Sequence, residues 1–142
     1  IFQYDPSSNT WDQTAKLNAS DPAATDNFGR AVSISGNTAI IAAPLDDDAG
    51  GLSGSAYIFQ YDPSSDTWAQ TTKLTASDAA GGDWFGNSVS ISENTAIVGG
   101  PYNDNGGADS GSAYLFQYDL STNTWDQKIK FTASDAAAGD NF

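Results

Sequence analysis

The run Ile1-Phe-Gln-Tyr-Asp5 returns as Ile58-Phe-Gln-Tyr-Asp62 and again as Leu115-Phe-Gln-Tyr-Asp119, each time 57 positions further on. Trp11, Trp68 and Trp125 keep the same step, as do the Ala-Ser-Asp triplets ending at Asp21, Asp78 and Asp135 and the aromatics Phe28, Phe85 and Phe142. No insertion or deletion breaks the period, so the 142 residues hold two complete units and about half of a third. A chain this strictly periodic uses each unit as one supersecondary element that buries its apolar face against its neighbours.

Within a unit the apolar period is two, which indicates strands. Gly86-Asn-Ser-Val89-Ser-Ile91-Ser alternates, Thr95-Ala-Ile-Val98 is a short β-rich run, and Ser112-Ala-Tyr114-Leu-Phe116-Gln-Tyr118 places three rings on one pleat face. The fourth run spans residues 67–75 and contains Trp68 and Leu74. Turn chemistry bounds each run. Ser35-Gly-Asn-Thr38 and Ser92-Glu-Asn-Thr95 predict one tight hairpin, and Asp5-Pro-Ser-Ser and Asp62-Pro-Ser-Ser predict another, with Pro presetting φ. Each unit is therefore read as four antiparallel strands. A lone sheet of this size buries little, and solenoid turns are shorter than 57 residues. The expected fold class is all-β, a propeller-like array of four-stranded antiparallel blades. About 2.5 blades are expected: residues 1–27 as the trailing, outer-strand half of a blade, 28–84 as a complete blade, and 85–142 as a second that ends at the start of the next repeat. On this reading the chain is a fragment of a larger propeller, completed by further repeats or by neighbouring copies.

The pairs Phe28-Gly29 with Ala42-Ala43-Pro44, and Phe85-Gly86 with Gly99-Gly100-Pro101, resemble the two signatures of the FG-GAP repeat of integrin α-chain propellers and of many bacterial surface proteins. The likeness is closer to bacterial arrays that carry Gly-Ser-Ala-Tyr, a Trp, and Lys-Leu-Thr-Ala-Ser-Asp before the Phe-Gly pair. The resemblance implies a propeller displayed outside the cell for adhesion or ligand binding. It also implies a calcium loop between the Phe-Gly and Gly-Ala-Pro strands. Here that gap is only Ser35-Gly-Asn-Thr38 or Ser92-Glu-Asn-Thr95, too short and too poor in acids to wrap a cation, so the family's calcium site is not carried over.

Charge narrows the partners. The net charge is -13, Glu93 is the only glutamate among 18 acidic residues, and only Lys16, Arg30, Lys73, Lys128 and Lys130 oppose them. Such a surface repels phosphate backbones and anionic membranes. No run of apolar residues reaches the length of a membrane-spanning helix. Zero His and zero Cys remove the usual triads, zinc sites and histidine bases.

Asp without Glu points to oxygen-rich loops. The segments after each Pro, residues 45–54 and 102–111, hold Asp46, Asp47 and Asp48 in one unit and Asn103, Asp104, Asn105 and Asp109 in the next. Closely spaced Asp and Asn with Gly suit a hard cation in residue type, and these seven are the candidate Ca²⁺ ligands, although the spacing is not that of an EF-hand and a solvated hairpin loop is the plainer reading of it. Asp21 with Asp26 and Asp78 with Asp83 bracket the crossovers and read as turn caps. The tryptophans on the fourth run read as rings packed between sheets, with a sugar platform as their alternative. Individuality lies where the repeat breaks: Arg30 against Asn87, Trp84 against Asn27, Tyr102 against Leu45, and Asp109 against Leu52.

The function expected is non-enzymatic: an extracellular or cell-surface repeat module, bacterial, acting in adhesion, ligand binding or surface assembly on a protein or carbohydrate partner. The alternative is the propeller portion of a secreted carbohydrate-active enzyme whose catalytic residues lie elsewhere.

Overall fold

The computed structural model describes residues 1–142. Ten strands follow one another with no helix: β1 (Phe2–Asp5), β2 (Thr10–Gln13), β3 (Val32–Ser35), β4 (Thr38–Ala43), β5 (Ser55–Asp62), β6 (Thr67–Leu74), β7 (Ser88–Ser92), β8 (Thr95–Gly100), β9 (Ser112–Asp119) and β10 (Thr124–Phe131). With no helix present, none is long and apolar enough to cross a membrane. β3-β4-β5-β6 and β7-β8-β9-β10 each form a four-stranded sheet in chain order, and β1-β2 form a two-stranded one. Every pairing is antiparallel. This is the blade arrangement the period predicts.

Alternation decides which residues cement the sheets. On β4 and β5, Ile40, Ala42, Ala56 and Ile58 face the following sheet, while Ala39, Ile41, Tyr57 and Phe59 pack with Leu17, Ala19 and Phe28 of the segment joining β2 to β3. Both faces are thus covered, which is why these two strands read as nearly continuous apolar runs. The ring of the Phe-Gly pair is the wedge between sheets. Phe85 is fully buried, edge-on to Tyr114 at 5.3 Å and to Phe116 at 5.9 Å, and Phe28 repeats the contact with Tyr57 at 5.5 Å and Phe59 at 6.2 Å. Burying such a ring contributes about 2–3 kcal/mol. At the inner edge, Ser33 Oγ accepts from the Ile91 amide at 3.2 Å and Ser35 Oγ from the Glu93 amide at 3.1 Å, tying β3 to β7.

The glycine after the long loop has a steric duty. Gly54 takes φ +84°, and a Cβ there would stand 2.1 Å from the Phe85 carbonyl oxygen. Gly111 repeats this against Phe142.

The expectation of packed rings holds for Trp68 and Trp125, which lie against the two core clusters, but not for Trp11. Trp11, Trp68 and Trp125 lie on the outer strands opposite Tyr4, Tyr61 and Tyr118, with ring centroids 5.5–5.6 Å apart. Trp68 and Trp125 are half-buried at the margins of the two clusters, and Trp11 is 68% exposed. They are cross-strand pairs on the periphery, because the outer strand of a blade has a neighbour on fewer sides than the middle ones.

Candidate functional site

Alternating up and down strands put the tight turns at one end of each sheet and the long loops and crossovers at the other. On this loop end the crossover of one repeat runs beside the long loop of the previous one: the amides of Gly82, Trp84 and Phe85 donate to the carbonyls of Gly51, Leu52 and Ser53 at 2.9, 3.2 and 3.0 Å.

The acidic residues converge here on a lysine. Asp46 closes a turn, its amide donating to the Ala43 carbonyl at 3.2 Å, and its side chain is only 4% exposed. Ser55 Oγ donates to its Oδ1 at 2.9 Å, and the Tyr57 hydroxyl donates to its Oδ2, also at 2.9 Å. Lys73, arriving from β6, places its Nζ 3.0 Å from Asp46 Oδ2 and 2.7 Å from Asp21 Oδ2, and pairs with Asp48 as well. The same ammonium lies 5.2 Å from the centre of the Tyr57 ring.

The second repeat rebuilds the site with fewer charges. Lys130 pairs with Asp78, donates to Asn103 Oδ1 at 2.7 Å and lies 5.3 Å from the Tyr114 ring. Asn103 stands where Asp46 stood, and Asn105, in place of Asp48, donates to Asp78 at 2.7 Å. Asn103 Nδ2 also donates to Asp83 at 3.0 Å, a bond two carboxylates at these positions would not make. The exchange leaves the buried Tyr114 hydroxyl without a partner.

Of the seven candidate calcium ligands, the structure brings Asp46 and Asp48 together and adds Asp21, the ligand oxygens of all three lying within 4.8 Å of one another. Asp47 is exposed and outside this group. Asn103 accepts from Lys130 and Asn105 donates to the Asp78 that pairs with it, whereas Asp104 accepts from the Asp109 amide at 2.8 Å in an exposed turn. A divalent ion at the three clustered carboxylates would compete with the Lys73 ammonium for the same oxygens. Asp26 and Asp83 are the caps the crossovers called for, accepting from the Ala23 and Ala80 amides at 2.8 and 3.0 Å. Asp21 and Asp78 are not caps but lysine partners. The signal that finds the lysines is their column: Lys16, Lys73 and Lys130, three of the five cations, share one repeat position.

Protonation states follow from these contacts. Hydrogen bonding to Lys73 lowers the Asp21 pKa. Burial pushes Asp46 and Asp78 upward, but the bonds from Lys73, Tyr57 and Ser55 to the first, and from Lys130 to the second, outweigh it and hold both below the ordinary carboxylate value. Burial also opposes the charge on Lys73, yet its three aspartates raise its pKa well above the usual range. Burial raises the Tyr57 and Tyr114 hydroxyls. Each of these shifts favours the charge or proton already in place, so these groups hold charges together.

A concavity of about 790 Å³ lies beside Phe2, Leu17, Phe28, Val32 and Ile34, and no carboxylate lines it. The family description FG-GAP repeat matches residues 11–59 and 68–116, more than half of the chain. No curated protein matches it.

Proposed function

Because the chain belongs to the FG-GAP repeat family, whose repeats build β-propeller-type modules, we propose that it is a non-enzymatic extracellular module of a bacterial surface or secreted protein, acting in adhesion, ligand binding or surface assembly. The observation that carries this reading is the employment of its acidic groups. The buried carboxylates are spent on Lys73, on crossover caps and on loop hydrogen bonds; the caps Asp26 and Asp83 repeat from sheet to sheet, and the lysine site recurs around Lys130 with amides in place of two carboxylates. Groups repeated in every unit hold every unit together, whereas a reaction centre needs a unique constellation. The loop end then offers what the scaffold leaves free, exposed loop residues such as Asp47 and Asp104, to a protein or carbohydrate partner.

Antibodies raised against the chain provide the test on intact source cells. Surface labelling that external protease removes supports the reading; labelling only after permeabilisation overturns it. Turnover of a glycoside panel by the purified protein would overturn its non-enzymatic part.

A further inference from the structure

The loop end breaks its own repeat at one conspicuous place. Positions 27, 84 and 141 are equivalent and all left-handed, with φ of 58°, 54° and 54°. Asn occupies the first and last, as expected of a residue that enters this region at low cost. Position 84 carries Trp, a bulky residue for which that backbone is an outlier. Local structure does not ask for this ring, and strain kept against local preference marks functional positions.

A second break meets it. Tyr102 replaces the Leu45 of the preceding repeat, and the two rings stand perpendicular, at 87°, with centroids 4.9 Å apart. Both are partly exposed, and neither belongs to either hydrophobic core cluster. Their backbones are pinned: the Trp84 amide donates to the Leu52 carbonyl at 3.2 Å, and the Tyr102 amide to the Asp83 carbonyl at 3.4 Å. Leu52, across the seam between repeats, is itself 43% exposed. Tyr4, Tyr57, Tyr61 and Tyr118 spend their hydroxyls on Asp or Asn side chains and the unpartnered Tyr114 hydroxyl is buried, whereas the Tyr102 hydroxyl, on a partly exposed ring, makes no hydrogen bond within the chain, nor does the Trp84 indole N–H, like the other indoles.

We infer that Trp84 and Tyr102 form a binding platform for a neutral saccharide, a site that rests on reading the loop end as a binding surface. A pyranose stacks its C–H face on one ring against the edge of the other, and its hydroxyls meet the free indole N–H and phenol O–H. Rings with apolar bodies and polar tips suit such a half-wet contact. The net charge of -13 disfavours an acidic polysaccharide. A cationic ligand is best held by ring faces in a desolvated site, and a perpendicular pair on an open surface supplies little of either.

The variants Trp84→Asn and Tyr102→Leu install the residues the preceding repeat already carries, so both are expected to fold, with the melting temperature of Trp84→Asn equal to or above that of the parent. The 142-residue protein is run in native gels containing β-glucan, galactomannan or xyloglucan, with alginate as the acidic control, and Trp fluorescence is titrated with cellohexaose and mannohexaose. Retardation by at least one neutral polysaccharide, weakened 10-fold or more by either variant and absent with alginate, is the expected result. No retardation by any of the three, or equal retardation of both folded variants, overturns the inference. Fluorescence quenching by a Lys-rich peptide but by neither oligosaccharide overturns it too, assigning the pair to a cationic partner. Surface labelling of cells alongside any of these failures removes the saccharide site alone and leaves the wider reading standing.

Discussion

Lys73 and Lys130 sit at one repeat position, yet their surroundings give them different weight. Removing Lys73 as Lys73→Met strands a buried Asp46 beside two other carboxylates, a loss of about 3–5 kcal/mol. Lys130→Met leaves one carboxylate among amides and costs about 1 kcal/mol. Urea unfolding of the two variants checks the difference, and equal losses would show that the extra aspartates contribute nothing. The pH profile has a definite sign on each side. Asp21, Asp46 and Asp78 have folded pKa values below 3.8, so the stability they supply is complete above that value and is lost as pH falls through the depressed ones. Lys73 has a folded pKa above 10.5, so its share is complete below 10.5 and is lost only as pH rises through the raised value. Thermal melts across this range should show a plateau that declines first on the acid side, and a maximum confined to mildly acidic pH would contradict the assignment. The oxygen-rich loops were legible in the sequence as clusters of Asp and Asn. Their counter-ion was not, because Lys73 follows Asp46 by 27 positions and Asp21 by 52, a proximity created only by the sheet.

Strand positions were the most legible elements, since period-two alternation and the turn residues agree. The runs read at 95–98, 112–118 and 67–75 fold as Thr95–Gly100, Ser112–Asp119 and Thr67–Leu74. What the pattern conceals is irregularity within an element. The β5–β6 register shifts between Ile58 and Phe59, and the β9–β10 register shifts between Gln127 and Ile129, bulges that turn the outer strand without any glycine to announce them. The unequal burial of the three tryptophans was hidden for a related reason: alternation tells which residues share a face but not how far that face lies from the next sheet. Contacts between elements are also where a small change does most harm. Gly54→Ala drives a methyl into the Phe85 backbone and forces apart the strip at 51–53 and 82–85, at a cost of about 3 kcal/mol or more. Gly36→Ala, in a turn with open space around it, strains only the backbone and costs about 1 kcal/mol. Thermal melts, with hydrogen exchange at the Phe85 amide, separate the two, and a mild effect of Gly54→Ala would place the close approach in error.

Across the whole molecule, equivalent faces meet different fates. The face of the first complete sheet formed by Ile40, Ala42, Ala56 and Ile58 is buried by the second sheet, while its counterpart on that second sheet leaves Ile97 40% and Phe131 38% exposed. Apolar sheet faces of this kind favour association, and the net charge of -13 resists it. Light scattering should therefore report a mass that rises above 14.8 kDa as NaCl screens the repulsion, and Ile97→Asp should return it toward the monomer. A constant mass at every salt concentration would mean that the face is inert. The lysine between the acidic loops has a consequence at this scale too. A cation carried on a side chain is made with the polypeptide, in fixed proportion, and dilution or a chelator does not strip it away. The junction it secures is indifferent to the hardness of the surrounding water, and its strength is reset by changing a neighbouring residue, as Asn103 and Asn105 have done one repeat along.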